Sequence, residues 1–214
     1  MTSRTREIAL QEYMNALPNL HTWDDGATWN TGGFNREHLE KVIQIITQRF
    51  PTARIIETGA GNSTISFLFC GPSKLVSICP EPDLFGRIKE YCASKTLDDS
   101  AWEPIEGFSE TVLPDLAKDT ANLFDFALID GHHGWPLVFV DFCYLNQMLR
   151  QGGLLMIDDI QLHSVRELAN LLREQPGFTL AADLGKALIF EKTTSDRGLP
   201  EWNGQPYIVR NSAG

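Results

Sequence analysis

The sequence has no long hydrophobic run, few cysteines and no excess of positive charge. No segment approaches the ~20 consecutive apolar residues that a membrane-spanning helix needs, so we expect no membrane partner. The net charge of −10 argues against a nucleic-acid partner, because phosphate binding needs a basic surface. The cysteines lack CxxC spacing, which favours buried free thiols in a reducing, cytoplasmic environment over disulfides or a zinc site. They are Cys70, Cys79, Cys92 and Cys143.

The remaining composition is that of one ordinary globular domain. Of the 214 residues, 43% are apolar and 21% are charged, which allows a sizeable core. Strand-like and helix-like segments alternate from Arg54 onward, which predicts an α/β fold with a Rossmann-like, doubly wound sheet of about seven strands. We expect N-terminal helices, mostly parallel strands and a C-terminal antiparallel hairpin around Gly185. The predicted division is a helical or lid segment over 1–52, a core over 53–192 and a tail over 193–214.

Local signals predict several element boundaries in the second half of the chain. The segment 135–149 is apolar nearly all round, which predicts a buried helix that ends at Gly152-Gly153. The next buried strand is expected over 154–158. Ser164 and Glu167 have the spacing of a capping box, so another helix is expected to begin there.

The stretch from Arg54 to Phe69 combines a short strand, a glycine-rich turn and the start of a helix. Backbone N–H groups and the positive helix end at such a turn bind nucleotide-like ligands. Glu57, just before Gly59-Ala60-Gly61, would repel a pyrophosphate and attract the ammonium group of S-adenosylmethionine. Thr64 stands where a third glycine would complete the NAD fingerprint. This turn therefore favours S-adenosylmethionine over NAD.

Acidic residues follow the predicted strand ends, where ligands bind in doubly wound sheets. They are Glu57, Glu81, Glu106, Asp130 and Asp158-Asp159. Glu81 lies about 20 residues beyond the glycine turn, where an acid accepts both ribose hydroxyls of a nucleoside. This contact is common to NAD and S-adenosylmethionine, and the alternative is a solvated glutamate at a helix start.

Asp130, Asp158 and Asp159 are expected to converge, because their strands are neighbours in the predicted sheet. Three carboxylates at one point repel one another unless a proton or a cation binds. Oxygen ligands favour Mg²⁺, with Mn²⁺ or Ca²⁺ as alternatives. Without a metal, Asp130 would only orient the ligand and Asp159 would cap the next helix. The imidazole pKa of ~6.5 suits a general base; we assign this role to His132, and His133 is left as a loop partner or a fourth ligand.

These motifs resemble those of class I S-adenosylmethionine-dependent methyltransferases. More narrowly, the chain is similar to the metal-dependent O-methyltransferases of the macrocin, mycinamicin and novobiocin type, which are related to the catechol and caffeoyl-CoA enzymes. The E-x-G-x-G-x-S-T turn, the IDG-x-H loop and the GGLLMIDD strand carry the resemblance. The cofactor contacts that it implies are Glu57, Thr58, Gly59, Ala60, Gly61, Ser63, Thr64, Glu81, Phe108, Ser109 and Asp130. The Mg²⁺ ligands that it implies are Asp130, Asp158 and Asp159. His132 stands where the sugar enzymes carry an aspartate as the general base.

The sequence therefore predicts an enzyme that methylates a hydroxyl group of a small-molecule acceptor. S-adenosylmethionine is the expected cofactor, Mg²⁺ or another divalent cation assists, and His132 and Asp130 are the catalytic residues. Three alternatives stay open: a NAD-type oxidoreductase on the same fold, a metal-dependent hydrolase, and a catalytically silent cofactor-binding module. A homo-oligomer is also left open. Candidates for a lid over the acceptor are His21, Trp23, Trp29 and Trp135.

Overall fold

A computed structural model describes residues 3–208. The chain divides into two compact units, with the boundary between Phe108 and Ser109. Among the described residues, no helix is both long and apolar enough to cross a membrane. The side chain of Trp23 lies outside the described part of the structure.

The first unit combines a parallel set of strands with helices and one short hairpin. Its helices are α1 (Ser3–Asn15), α2 (Arg36–Arg49), α3 (Asn62–Phe69) and α4 (Pro82–Lys95). Its strands are β1 (His21–Trp23), β2 (Thr28–Asn30), β3 (Arg54–Thr58), β4 (Lys74–Cys79) and β5 (Trp102–Glu106). β3, β4 and β5 pair in parallel, whereas β1 and β2 form a separate antiparallel hairpin. Sequence patterns did not predict this hairpin, because its three-residue strands are too short to show an alternating pattern.

The second unit continues the alternation and ends in an antiparallel hairpin. Its helices are α5 (Ser109–Leu116), α6 (Leu137–Met148) and α7 (His163–Glu174). Its strands are β6 (Phe124–Ile129), β7 (Leu149–Ile157), β8 (Phe178–Asp183) and β9 (Leu188–Lys192). β6 and β7 are parallel, and β9 pairs antiparallel with both β7 and β8.

The seven longer strands form one mixed sheet in the order β5-β4-β3-β6-β7-β9-β8. This order confirms the predicted α/β sheet of seven mostly parallel strands with a C-terminal antiparallel hairpin. The central strands are apolar and buried, as expected when both faces of a sheet are covered. Phe126, Leu155 and Phe190, for example, have no exposed surface.

The predicted boundaries of α6 and β7 were wrong. α6 begins at Leu137, so Trp135 lies outside the helix and is 78% exposed. The helix ends at Met148, and β7 begins directly afterwards instead of after the glycine pair. Gly152 therefore lies within the strand, with φ +77°, opposite a register shift in β6. A glycine at positive φ permits such an irregularity in a strand, and local sequence alone does not distinguish it from a helix end.

The predicted capping box and the predicted burial of Cys143 were also wrong. α7 begins at His163, with Leu162 as its N-cap. The hydroxyl of Ser164 instead donates to the main-chain oxygen of His133 at 2.5 Å. Cys143 is exposed, whereas the other cysteines are buried, and all of them are free thiols.

Lys192 is a buried basic residue in the second unit, and its burial makes stability depend on pH. Its side chain is 1% exposed, and Nζ donates to the main-chain oxygens of Asn146 (2.6 Å) and Leu149 (3.1 Å). Burial lowers the pKa of Lys192 from 10.5 to about 8. Between these values the unfolded chain holds a proton that the folded chain has lost, so raising the pH favours the folded state. From about pH 8 to about pH 10, the free energy of unfolding should rise by about 1–3 kcal/mol relative to that of Lys192→Met. Urea unfolding of both proteins checks this, and parallel pH profiles would contradict it.

Candidate functional site

Glu57 is buried beside the glycine turn of the first unit and accepts hydrogen bonds from residues around it. The residue has no exposed surface. Its carboxylate accepts hydrogen bonds from the hydroxyls of Ser63 (2.7 Å), Thr64 (2.5 Å) and Ser77 (2.6 Å). Trp102 Nε1 in turn donates to Ser77 Oγ at 2.9 Å. The carboxylate thus joins the start of α3 to β3 and β4, and its contact with a ligand ammonium group stays a prediction.

The backbone of the turn requires glycine at two positions. Gly59 has φ +91° and Gly61 has φ +148°, both in the region that other residues avoid. The N–H of Gly59 donates to the main-chain oxygen of Ile78 (2.8 Å), and the N–H of Gly61 donates to Thr64 Oγ1 (3.0 Å). A side chain at Gly61 would meet the ring of His21, because an added Cβ would lie 2.6 Å from its Nε2. The turn is therefore shaped by its own hydrogen bonds and closely approached by β1.

The other predicted nucleoside contacts differ in accessibility. Glu81 is the exposed N-cap of α4 and lies two residues after the end of β4, the parallel neighbour of β3. Phe108, just beyond β5, is 59% exposed. Both side chains are thus available to a ligand at this end of the strands. Thr58, Ser63, Thr64 and Ser109 are buried, and Ala60 is half-buried.

In the second unit, two of the three predicted acidic ligands, Asp130 and Asp159, lie close together with His133. Asp130 directly follows β6 and Asp158 directly follows β7, its parallel neighbour. Nε2 of His133 lies 3.4 Å from Asp130 Oδ1 and 3.6 Å from Asp159 Oδ2. Asp130, His133 and Asp159 each offer a ligand atom within 4.8 Å of the others. We call these three residues together with Asp158 the acid cluster.

The structure brings His133, rather than His132, to the acid cluster. His132 is exposed, and its Nδ1 accepts a hydrogen bond from the N–H of Gly134 at 3.0 Å. The main-chain oxygen of His133 is held by Ser164, in the first turn of α7. The orientation of the two imidazoles thus depends on a contact that is distant in sequence, and the assignment of His132 as base stays a prediction.

Lys186 is a member of this site that the sequence did not indicate. Its Nζ lies 2.9 Å from Asp158 Oδ2 and 3.1 Å from Asp159 Oδ1. Antiparallel pairing sets Leu188 of β9 opposite Ile157 of β7, which brings the residues just before β9 to the end of β7. The position of Lys186 beside Asp158 could have been predicted only from this pairing register. Asp159 does not cap α7, since Leu162 occupies that position.

Burial and mutual repulsion shift the pKa values of the acid cluster. Burial raises the pKa of Asp130 to about 6, and the nearby Asp158 adds to the effect. Burial also raises the pKa of Asp158, which has no exposed surface. The contact with Asp130 raises the pKa of His133 above its ordinary value. Positive charge is therefore favoured at this site.

Comparison with known proteins agrees with this geometry. Residues 56–160 match the family described as a methyltransferase domain. No curated protein sequence matches the chain. The structure is similar to the O-methyltransferase TomG of Streptomyces achromogenes, involved in tomaymycin synthesis, in complex with SAM. The identity is 18%, the TM-score 0.65, and the coverage 91% of this chain and 92% of that one. An O-methyltransferase from Bacillus cereus in complex with SAH has 16% identity, a TM-score of 0.62 and coverage of 91% and 92%.

A third solved structure is the MycE methyltransferase of the mycinamycin biosynthetic pathway, in complex with Mg and SAH. It has 16% identity and a TM-score of 0.54, and the match covers 86% of this chain and 56% of that one. These structural similarities show a shared fold. The family match over residues 56–160 is independent support from the sequence. Residues 56–160 thus match a methyltransferase-domain family, and the seven-stranded sheet has the topology of the class I S-adenosylmethionine-dependent methyltransferase fold.

Proposed function

We propose that the protein transfers the methyl group of S-adenosylmethionine to a hydroxyl of a small molecule, with His133 as the general base. The observation that carries this proposal is the position of His133 between Asp130 and Asp159, beyond the ends of β6 and β7. A half-buried imidazole between two carboxylates is held in one orientation and is stabilised when it takes up a proton. The O-methyltransferases with the same fold support the choice of a hydroxyl acceptor.

The reaction needs one proton transfer and one methyl transfer. The imidazole of His133 takes the proton of the acceptor hydroxyl. The acceptor oxygen then forms a bond to the methyl carbon as the carbon–sulfur bond breaks, and the sulfonium becomes the neutral thioether of S-adenosylhomocysteine. In the first unit, the backbone at Gly59 and Gly61 would bind the methionyl part, while Glu81 accepts the ribose hydroxyls. Phe108 would lie along the adenine. The chain thus contributes mainly positioning and base catalysis.

The acid cluster also fits a divalent cation. Oδ1 of Asp158 is buried and has no hydrogen-bond partner among the described residues, and such an oxygen favours a cation. Asp130, Asp158 and Asp159 would hold the ion through oxygen atoms, the ligands that Mg²⁺ and Mn²⁺ prefer. When bound, the ion supplies a Lewis acid that lowers the pKa of an acceptor hydroxyl. MycE, solved with Mg and SAH, supports this part of the proposal.

Ligand binding tests the proposed cofactor against its closest alternative. Isothermal titration calorimetry should show binding of S-adenosylhomocysteine with a Kd of about 1–100 μM and no measurable binding of NADH. Transfer of tritium from methyl-labelled S-adenosylmethionine to a panel of catechols and vicinal-diol sugars then tests the reaction. Binding of NADH in place of S-adenosylhomocysteine would overturn the proposal.

A further inference from the structure

The segment between α1 and α2 is fixed to the glycine turn by one side chain, Asn62. Its Nδ2 donates to the main-chain oxygens of Pro18 (3.0 Å) and Thr31 (2.7 Å). The hydroxyl of Tyr13 lies 2.8 Å from the main-chain oxygen of Asn62, to which it donates. Asn62 is 3% exposed and is the first residue of α3. Both ends of the hairpin segment, residues 18–31, are therefore attached where the proposed cofactor turn becomes a helix.

The hairpin is also fixed to α4. Nε of Arg87 donates to the main-chain oxygen of Leu20 at 2.7 Å, and Leu20 itself is buried. The guanidinium of Arg87 lies over the ring of Trp29, 5.4 Å from its centroid, which is a cation–π contact. The hairpin segment thus has attachments to the helices that follow β3 and β4, the two strands whose ends carry the glycine turn and Glu81.

These attachments hold the ring of His21 against Gly61. Nε2 of His21 would lie 2.6 Å from a Cβ at Gly61 and 2.8 Å from a Cβ at Gly32, so the ring fills the space beside both glycines. Burial lowers the pKa of His21, and the opposing charges of Glu81 and Arg87 act on it in opposite directions. A neutral imidazole offers one N–H donor and one acceptor, and it does not repel a sulfonium ion. Among the described residues, neither ring nitrogen has a hydrogen-bond partner.

We propose that His21 contacts bound S-adenosylmethionine and donates a hydrogen bond to its methionyl carboxylate, so that the hairpin segment forms one wall of the cofactor site. The inference rests on the proposed cofactor position at the glycine turn. A ligand on that turn would lie beside the imidazole, because the ring fills the space next to Gly61 and is close enough to Glu81 for that carboxylate to act on the pKa of His21. The methionyl part is the portion expected at Gly61, and its carboxylate is the strongest acceptor there. His21 is then a cofactor-binding residue that local sequence motifs did not identify.

Two related nucleosides test this contact. S-adenosylhomocysteine carries the methionyl-type carboxylate, whereas 5′-methylthioadenosine has the same adenine and ribose without it. Calorimetry should show that His21→Ala weakens binding of S-adenosylhomocysteine by about tenfold or more, while binding of 5′-methylthioadenosine changes by less than about twofold. His21→Gln keeps an N–H donor and should recover part of the loss. His163→Ala, which alters a histidine at the start of α7 whose side chain is 80% exposed, is the matched control and should leave both affinities unchanged.

The outcomes separate this inference from the proposed function. Equal weakening of both nucleosides by His21→Ala, with an unchanged urea unfolding midpoint, would overturn the carboxylate contact. An unchanged affinity for S-adenosylhomocysteine would overturn the whole inference and leave the proposed function standing. If the unaltered protein binds neither nucleoside, the proposed cofactor position fails, and the inference fails with it.

Discussion

Replacing His133 with alanine is expected to lower kcat for methyl transfer by about 10²–10⁴-fold. The variant lacks the only imidazole in the acid cluster, so no group at that position takes the proton of the acceptor hydroxyl. Binding of S-adenosylhomocysteine should change by less than about twofold, because none of the proposed cofactor contacts is altered. Initial rates with methyl-labelled S-adenosylmethionine and the best acceptor of the catechol and diol panel measure the effect.

His132→Ala is the informative comparison for this experiment. His132 is exposed and contacts the N–H of Gly134, so its removal should reduce kcat by less than about threefold. A large loss in His132→Ala together with a normal rate in His133→Ala would reverse the assignment in favour of the sequence prediction. Similar losses in both variants, without a change in stability, would mean that neither imidazole acts alone as the base.

Replacing Lys186 with methionine is expected to tighten Mn²⁺ binding by about tenfold or more. The ammonium group occupies carboxylate oxygens of Asp158 and Asp159 and repels a second cation at the same place. Two unit charges about 4 Å apart repel by about 4 kcal/mol at an effective dielectric constant of ~20, before screening by salt. Titration of each protein with Mn²⁺, followed by electron paramagnetic resonance, gives the two Kd values.

The stability of the same variant provides a second measurement. Without metal, Lys186→Met should lose about 3 kcal/mol of unfolding free energy, because Asp158 keeps a buried charge whose partner has been removed. Mn²⁺ should restore much of this loss and should raise the Tm of the variant more than that of the unaltered protein. Lys118→Met is the control, since that side chain is 77% exposed and pairs with the exposed Asp115. An unchanged Mn²⁺ affinity in Lys186→Met would show that the lysine does not compete with a cation.

Much of the fold followed from local patterns in the sequence. The alternation of strand and helix signals predicted the seven-stranded sheet, and its buried strands read as continuous apolar runs. Those patterns reflect burial, because nearly every residue of a strand such as β6 is buried. Strand ends in a parallel sheet share one edge, and the structure brings Asp130 and Asp159 together there, with His133 rather than Asp158 as the third possible ligand.

The details of the acid cluster could not be predicted in the same way. Lys186 reaches Asp158 through the pairing register of β7 and β9, which no short motif specifies. The loop after β6 orients His133 through its contact with Ser164, a residue 31 positions away. The β1–β2 hairpin was missed because its strands are short and depend on Asn62 and Arg87 for their position. In each case, contacts between distant residues decide the geometry.

The hydroxyl network around Glu57 has a consequence for the kinetics of cofactor capture. Ser63, Thr64 and Ser77 donate hydrogen bonds to the carboxylate, and the glycine turn is held by hydrogen bonds within the protein. A turn that is preorganised in this manner loses little conformational entropy when a nucleoside arrives. Association should then proceed as a simple one-step encounter, without a slow rearrangement of the turn before or after contact.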